Sequence, residues 1–260
     1  MNDVRRTAAF FDLDKTIIAT SSSAAFSDEF FDNGLLSRSE ALRAAYAQFL
    51  FSIGGADARK TERLRDALSE IITGWNVAQV RAIVAETVQE HIDPVVYQEA
   101  LSLIRRHRAL GRDIVIISAS ASVVVDPIAD MLGADIALGS DMAIADGKYT
   151  GEISRYCFGE HKAEAIAELA EERDYDLERC YAYSDSITDA PMLDAVGQGF
   201  AVNPDRTMRR AAAEHGWGVL HFRKPVAIRE DERRRATWLG AICAGIVVGL
   251  ASLVVIRKRG

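Results

Sequence analysis

The sequence predicts an α/β protein: a parallel sheet with helices on both faces, a helical insert after the first strand, and a transmembrane helix near the C-terminus. Three observations carry this. From residue 94 onward, short apolar runs alternate with amphipathic stretches, the pattern of βαβ units. Residues 20–93 show apolar positions at three- and four-residue spacing without strand-like alternation. Residues 236–256 are uncharged and match the ~20 residues that a bilayer requires.

The first strand is TAAFF, which runs into FFDLDKT at residues 10–16. Side chains alternate across a strand, so Asp12 and Asp14 face one way just past its carboxyl end while Leu13 faces the other. Two acids in one small site suit Mg2+, which takes oxygen ligands. They also suit a division of labour in which one carboxylate attacks and the other handles a proton. In the insert, SRSEALRAAYAQFL, TERLRDALSEII and VAQVRAIVAETVQEHI read as helices, punctuated by Gly54, Gly55 and Gly74. After Asp93-Pro94, a helix through VVYQEALSLIRRHRAL stops at Gly111 and DIVIISAS follows as a buried strand. SVVVDPIADMLG is helical, ADIALGS is a strand, and MAIADGKYTGEIS is a hairpin turning at Asp146-Gly147. A helix from HKAEAIAELAEER leads to the strand RCYAYSDS, a helix through APMLDAV, the strand GFAVNP, a helix at MRRAAAEHG, and finally WGVLHF. In such sheets ligands gather beyond the carboxyl ends of the strands, where DLDKT, SAS and SDSITD all fall. Residues 223–235 are charged and aperiodic, and read as a linker.

Composition bounds the function. At 260 residues, 49% hydrophobic and 27% charged, the chain can build one sizeable α/β domain plus an appendage. A net charge of -7 gives no sign of a nucleic-acid binder. Cys157, Cys180 and Cys243 are far apart and lack metal-ligand spacing, which fits packing thiols in a reduced, cytosolic part. The N-terminus reaches an acid too early for a signal peptide. The expectation is therefore a single-pass C-terminal anchor with the catalytic part on the cytoplasmic side. Arg233, Arg234 and Arg235 flank one end of the span and Arg257, Lys258 and Arg259 the other. Within it, Gly245 and Gly249 form a small-xxx-small pattern through which two such helices could pair into a homodimer.

Taken together, DLDKT at 12–16, Ser118 ending DIVIIS, Lys162 opening a helix, and Asp185 and Asp189 in SDSITD resemble the four motifs of the haloacid dehalogenase superfamily. The resemblance is greatest to its phosphoserine phosphatase-like subfamily, in which a helical cap lies between the first and second motifs. It implies a Rossmann-like core at 1–19 and 94–222, a cap at 20–93, the linker, and the membrane helix at 236–256. The implied activity is that of a Mg2+-dependent phosphatase working through an aspartyl-phosphate on a small-molecule or lipid phosphate. Asp12 would be the nucleophile and Asp14 the acid and base. Mg2+ would be held by Asp12, the Asp14 main-chain carbonyl and Asp185, with Asp189 supporting them. Ser118 and Lys162 would bind phosphate oxygens, and Ser120 could share or take the role of Ser118. Thr16 either caps the turn or touches phosphate, and His161 reads as a surface residue.

Two departures stand out. Ser184 occupies the position before Asp185 where the family usually has glycine. ATSSSAAF, residues 19–26, has no counterpart to the glutamate with which phosphoserine phosphatases read substrate, and the first acid after Asp14 is Asp28. The reaction is thus better supported than phosphoserine as substrate, and a less charged or more apolar leaving group, including a lipid phosphate, fits these residues. Arg43, Arg59, Arg63 and Arg65 are candidate substrate contacts in the insert. Two other readings use the same motifs: a membrane-tethered binding or regulatory protein that keeps the fold and the metal site, and a phosphotransferase.

Overall fold

The computed structural model describes residues 5–35, 69 and 72–228. β1 (Ala8–Phe11) is buried at all four positions, as a central strand covered on both faces must be. It is followed by α1 (Ser22–Asp32), and the insert ends in α2 (Val77–Thr87), which runs on through a π turn at Val88–Ile92 and a 3-10 turn at Asp93–Val95. Then come β2 (Val96–Tyr97), α3 (Gln98–Ala109), β3 (Asp113–Ala121), α4 (Ser122–Leu132), β4 (Ile136–Ala145) and β5 (Lys148–Arg155). The last elements are α5 (Glu160–Arg173), β6 (Tyr181–Ser184), α6 (Ala190–Asp194), β7 (Gln198–Val202), α7 (Arg206–His215), β8 (Gly218–Leu220) and β9 (Pro225–Val226).

Seven strands form one sheet in the order β5-β4-β3-β1-β6-β7-β8, parallel except for β5. Alternate residues of its central strands enter two separate cores. Phe11, Ile114 and Ile116 pack with Ile104 of α3 and Ile128 of α4, whereas Phe10, Val115 and Ile117 pack with Ile166 of α5, Met192 of α6 and Met208 of α7. This is the sheet with helices on both faces that the sequence predicts.

The hairpin differs in one respect. β4 is a single strand whose first half pairs with β3 and whose second half pairs with β5, with register shifts between Asp141 and Met142 and between Met142 and Ile144. Bulges absorb the bend within a continuous strand, so no turn residue marks it in the sequence. Asp146 and Gly147 follow with φ of 50° and 72°, the two left-handed residues of a two-residue hairpin loop.

α2 is capped by the Asn76 side chain, which accepts from the Gln79 amide. Phe30 of α1 packs edge-on against Trp75, and the segment before α2 hydrogen-bonds to the hairpin: Gly74 N to Tyr149 O at 2.8 Å, Tyr149 N to Trp75 O and Val77 N to Gly147 O, each at 3.0 Å. The helix expected from SRSEALRAAYAQFL lies outside the described residues, as do Arg43, Arg59, Arg63 and Arg65; of TERLRDALSEII only Ser69 and Ile72 are described, both helical.

The end of the described chain is tied to the domain. β9 pairs antiparallel with β2, the Glu99 carboxylate accepts from the amides of Arg223 and Lys224, and Asp93 accepts from Ile228 N at 2.7 Å. The first six residues of the segment read as a linker are therefore held in place.

The expected membrane location is corrected. Among the described residues no helix is long and apolar enough to cross a membrane. The longest, α5 with 14 residues, carries charge along its length and spans ~21 Å against a hydrocarbon core of ~30 Å. The segment 236–256 and the Gly245 and Gly249 pairing motif lie outside the described residues.

Candidate active site

The register of the central strands assembles the site. Phe11 lies beside Ile116 of β3 and Tyr183 of β6, so the residues two further along, Ser118 within β3 and Asp185 just past β6, flank the DLDKT turn on either side. The turn is fixed by its own backbone: Asp12 N donates to Tyr183 O at 2.9 Å, Ile17 N donates to Leu13 O at 2.9 Å, and Lys15 adopts a left-handed φ of 57°.

Lys162 comes from the first turn of α5, which starts after Gly159 at φ 58°. Its side chain is 2% exposed, and its Nζ donates to Asp12 Oδ1 at 2.7 Å and to Asp189 Oδ2 at 2.8 Å. Asp189 Oδ2 also accepts from Ser184 Oγ at 2.7 Å, and Ser184 Oγ accepts from Ser186 N at 3.1 Å. Thr16 Oγ1 accepts from Asp185 N at 3.0 Å and donates to Asp185 Oδ1 at 3.5 Å, joining the first and last motifs. Asp14 Oδ1 accepts from Ser22 N at 2.8 Å and Oδ2 accepts from Ser120 Oγ at 3.5 Å. Ser118 is buried, and its Oγ accepts from Ser120 N at 3.2 Å.

Four carboxylates, Asp12, Asp14, Asp185 and Asp189, thus face the cations Lys162 and Lys15. Burial is the largest influence on Asp12; Lys162 pulls its carboxyl down while Asp189 and Asp185 push it up, and the outcome is about 8. Burial also pushes Asp185 up to about 7, with Lys15 opposing and Asp189 reinforcing, and it raises Asp14 against the bonds from Ser22. Burial alone would lower Lys162, but Asp12 and Asp189 outweigh it and hold the ammonium charged well above its ordinary range.

This excess of negative charge, on hard oxygen donors, fits a divalent cation such as Mg2+. Among the described residues no ready-made group of three His, Cys, Asp or Glu stands at metal-ligand spacing. Mg2+ needs none, since it is usually held by one or two carboxylates together with water and substrate phosphate.

The six residues singled out in the sequence fall into three hydrogen-bonded groups around the DLDKT turn: Asp12, Lys162 and Asp189 with Ser184; Asp14 and Ser118 with Ser22 and Ser120; and Asp185 with Thr16. Thr16 proves to be a tether to Asp185. Ser22 is a site residue that sequence reasoning misses: its only signal is its place in the serine run before α1. Ser184 was noticed only as a departure from glycine, and its hydroxyl supports Asp189.

A profile of the haloacid dehalogenase-like hydrolases matches residues 9–194. A probable phosphatase of Mycobacterium tuberculosis (strain ATCC 25618 / H37Rv) is 52% identical over 248 residues, covering 95% of this chain and 86% of that protein. An inhibition of morphological differentiation protein of Streptomyces azureus is 54% identical over 226 residues, 86% of this chain and 82% of that one. A phosphoserine phosphatase of M. tuberculosis is 33% identical over 218 residues, 83% of this chain and 71% of that one. Among solved structures, a phosphoserine phosphatase with a phospho-aspartyl intermediate analogue matches with a TM-score of 0.61 at 18% identity, covering 88% of this chain and 99% of that one. With the profile spanning most of the sheet and all four motifs, the chain belongs to the haloacid dehalogenase-like hydrolases and has a phosphoserine phosphatase-like fold.

Proposed function

We propose that this phosphomonoester hydrolase works through an aspartyl-phosphate on Asp12, with Asp14 as its proton carrier, on a small-molecule or lipid phosphate. The observation that carries the reading is the buried Lys162 ammonium bridging Asp12 and Asp189, with Asp14 a turn away on its own set of donors. Lys162 fixes the rotation of the Asp12 carboxylate and supplies positive charge where phosphate oxygens would sit. Asp12 attacks phosphorus, the bond from phosphorus to the alcohol oxygen breaks, and that oxygen takes the Asp14 proton. Asp14 then accepts a proton from water as the water attacks phosphorus, which frees Asp12 and inorganic phosphate. Burial of Asp14 favours the protonated form that the first step requires. Ser118 donates to a phosphate oxygen.

Mg2+ held by Asp12, the Asp14 main-chain carbonyl and Asp185, with Asp189 steadied behind them by Lys162 and Ser184, would supply the charge that lets a carboxylate approach a phosphate dianion. The absence of a carboxylate between Asp14 and Asp28 favours a leaving group that carries no ammonium for such a group to read.

The test is Mg2+-dependent phosphate release from a panel of amino-acid, sugar, nucleotide and lipid phosphates, with mass spectrometry of the rapidly quenched enzyme. Turnover that disappears in Asp12→Asn, together with a phosphoryl adduct on the Asp12 peptide, is the expected result. An Asp12→Asn variant as active as wild type would refute the covalent route.

A further inference from the structure

We propose that Ser22 is a positioning residue for the reaction: its main-chain amide, and its hydroxyl through Ser120, hold the Asp14 carboxylate in the orientation from which it exchanges a proton. The inference rests on the role given to Asp14 above. Ser22 is the first residue of α1, wholly buried, and follows Ser21 in extended conformation at φ -85° and ψ 131°. Its amide is one of the first-turn donors that no helix carbonyl satisfies, and it donates to Asp14 Oδ1 at 2.8 Å. Its Oγ lies 2.8 Å from Ser120 Oγ, at the end of β3, and Ser120 Oγ reaches Asp14 Oδ2 at 3.5 Å. Both carboxylate oxygens are therefore held, one from the first helix of the insert and one from the sheet, and the two holders are bonded to each other. Removing α1 from its seat would release Asp14 from its amide donor and Ser120 from its partner in one movement, so seating of this helix and competence of Asp14 are a single event.

The geometry supplies a clean perturbation. Proline is well tolerated at the first position of a helix and after an extended residue, and it lacks the N–H. Ser22→Pro deletes the bond to Asp14, placing ring carbon where the hydrogen stood, while Ser22→Ala deletes only the hydroxyl.

The assay is kcat/KM for two probes, p-nitrophenyl phosphate and glycerol 2-phosphate. Nitrophenolate leaves without a proton, whereas an alkoxide needs one from Asp14. Ser22→Pro should lower kcat/KM on glycerol 2-phosphate by about 10²-fold and on p-nitrophenyl phosphate by less than about 5-fold. Ser22→Ala should cost less than about 5-fold on either probe, and Ser120→Ala about 5-fold on the alkyl probe alone.

A purely structural role would lower both probes together, so equal losses in Ser22→Pro at an unchanged melting temperature overturn the proposal. If Ser22→Pro does not fold, Ser120→Ala decides: a loss confined to the alkyl probe supports the proposal, and a uniform or absent loss overturns it. Asp14→Asn separates the two levels. If its loss is not selective for the alkyl probe, the role of Asp14 fails and this inference with it. If its loss is selective but that of Ser22→Pro is not, only the role of Ser22 fails.

Discussion

Replacing Lys162 with methionine tests how the site is held together. The ammonium makes contacts of 2.7 and 2.8 Å with Asp12 and Asp189, whose side chains are only 9% and 3% exposed. At an effective dielectric of about 20, each contact is worth roughly 6 kcal/mol of attraction, and the desolvation of three charged groups offsets most of the sum. The pair is thus close to neutral for stability as long as it is complete. Methionine keeps the length and apolar bulk of the stem but leaves two buried carboxylates facing each other, which costs about 3–5 kcal/mol for a pair broken on one side. Burial and the neighbouring Asp189 and Asp185 push the Asp12 carboxyl up, so once the ammonium is gone it takes a proton more readily and holds the cost near the lower figure, about 3 kcal/mol. For a domain of this size that is a fall in Tm of roughly 6–12 °C. The assay is thermal unfolding by circular dichroism in metal-free buffer, repeated on the double variant Lys162→Met/Asp189→Asn. The double variant should recover part of the loss because the second substitution removes one of the stranded charges. Lys162→Met melting within about 2 °C of wild type, or a double variant that sums the two single losses, would refute the account of Lys162 as the charge that balances this cluster.

Features that depend on local chemistry were legible in the sequence, and those that depend on packing in space were not. FFDLDKT announced itself because a buried strand needs an unbroken apolar run, and the carboxylates that end it must lie at its rim. Asp146-Gly147 marked the hairpin because both residues have to adopt positive φ. The bend in β4 left no such mark, since bulges at Asp141 to Ile144 absorb it without special residues. Serine hydroxyls were the least legible part of the site. Ser22, Ser120 and Ser184 each act through a partner that is remote in sequence or reached around a turn, and a small polar residue looks the same whether its hydroxyl meets a carboxylate or water. Residues 223–228 looked like a linker because they are charged and aperiodic, yet what fixes them is main-chain bonding to Asp93, Glu99 and β2, which side-chain pattern does not encode.

Three further outcomes follow from single contacts. Ser184→Ala removes the donor to Asp189 and the acceptor of the Ser186 amide, both buried or partly so, and should cost about 1–3 kcal/mol in urea unfolding while raising the Mg2+ concentration needed for half-maximal activity; an unchanged midpoint would refute it. Gly139→Ala would place a Cβ 2.8 Å from Ser122 Cα and 2.9 Å from Ser122 N, so the start of α4 must shift beside Ser118 and Ser120; activity should fall more than about 10-fold, measured as phosphate release. His107 offers a pH test away from the reacting groups. Its Nδ1 lies 3.3 Å from the Arg112 guanidinium, which can only donate, so Nε2 carries the hydrogen and donates to Tyr183 Oη at 2.8 Å. Burial first, then Arg112 and Arg106, push its pKa down to about 4. In the unfolded chain it titrates near its ordinary value of about 6.5, so below that pH the unfolded state binds a proton that the folded state refuses. Stability contributed by the neutral ring is complete above about pH 6.5 and is lost as pH falls towards about 4. His107→Gln, which cannot titrate, should be less stable than wild type at neutral pH but lose less between these limits; melting curves that fall in parallel for the two proteins would show that His107 is not the group responsible.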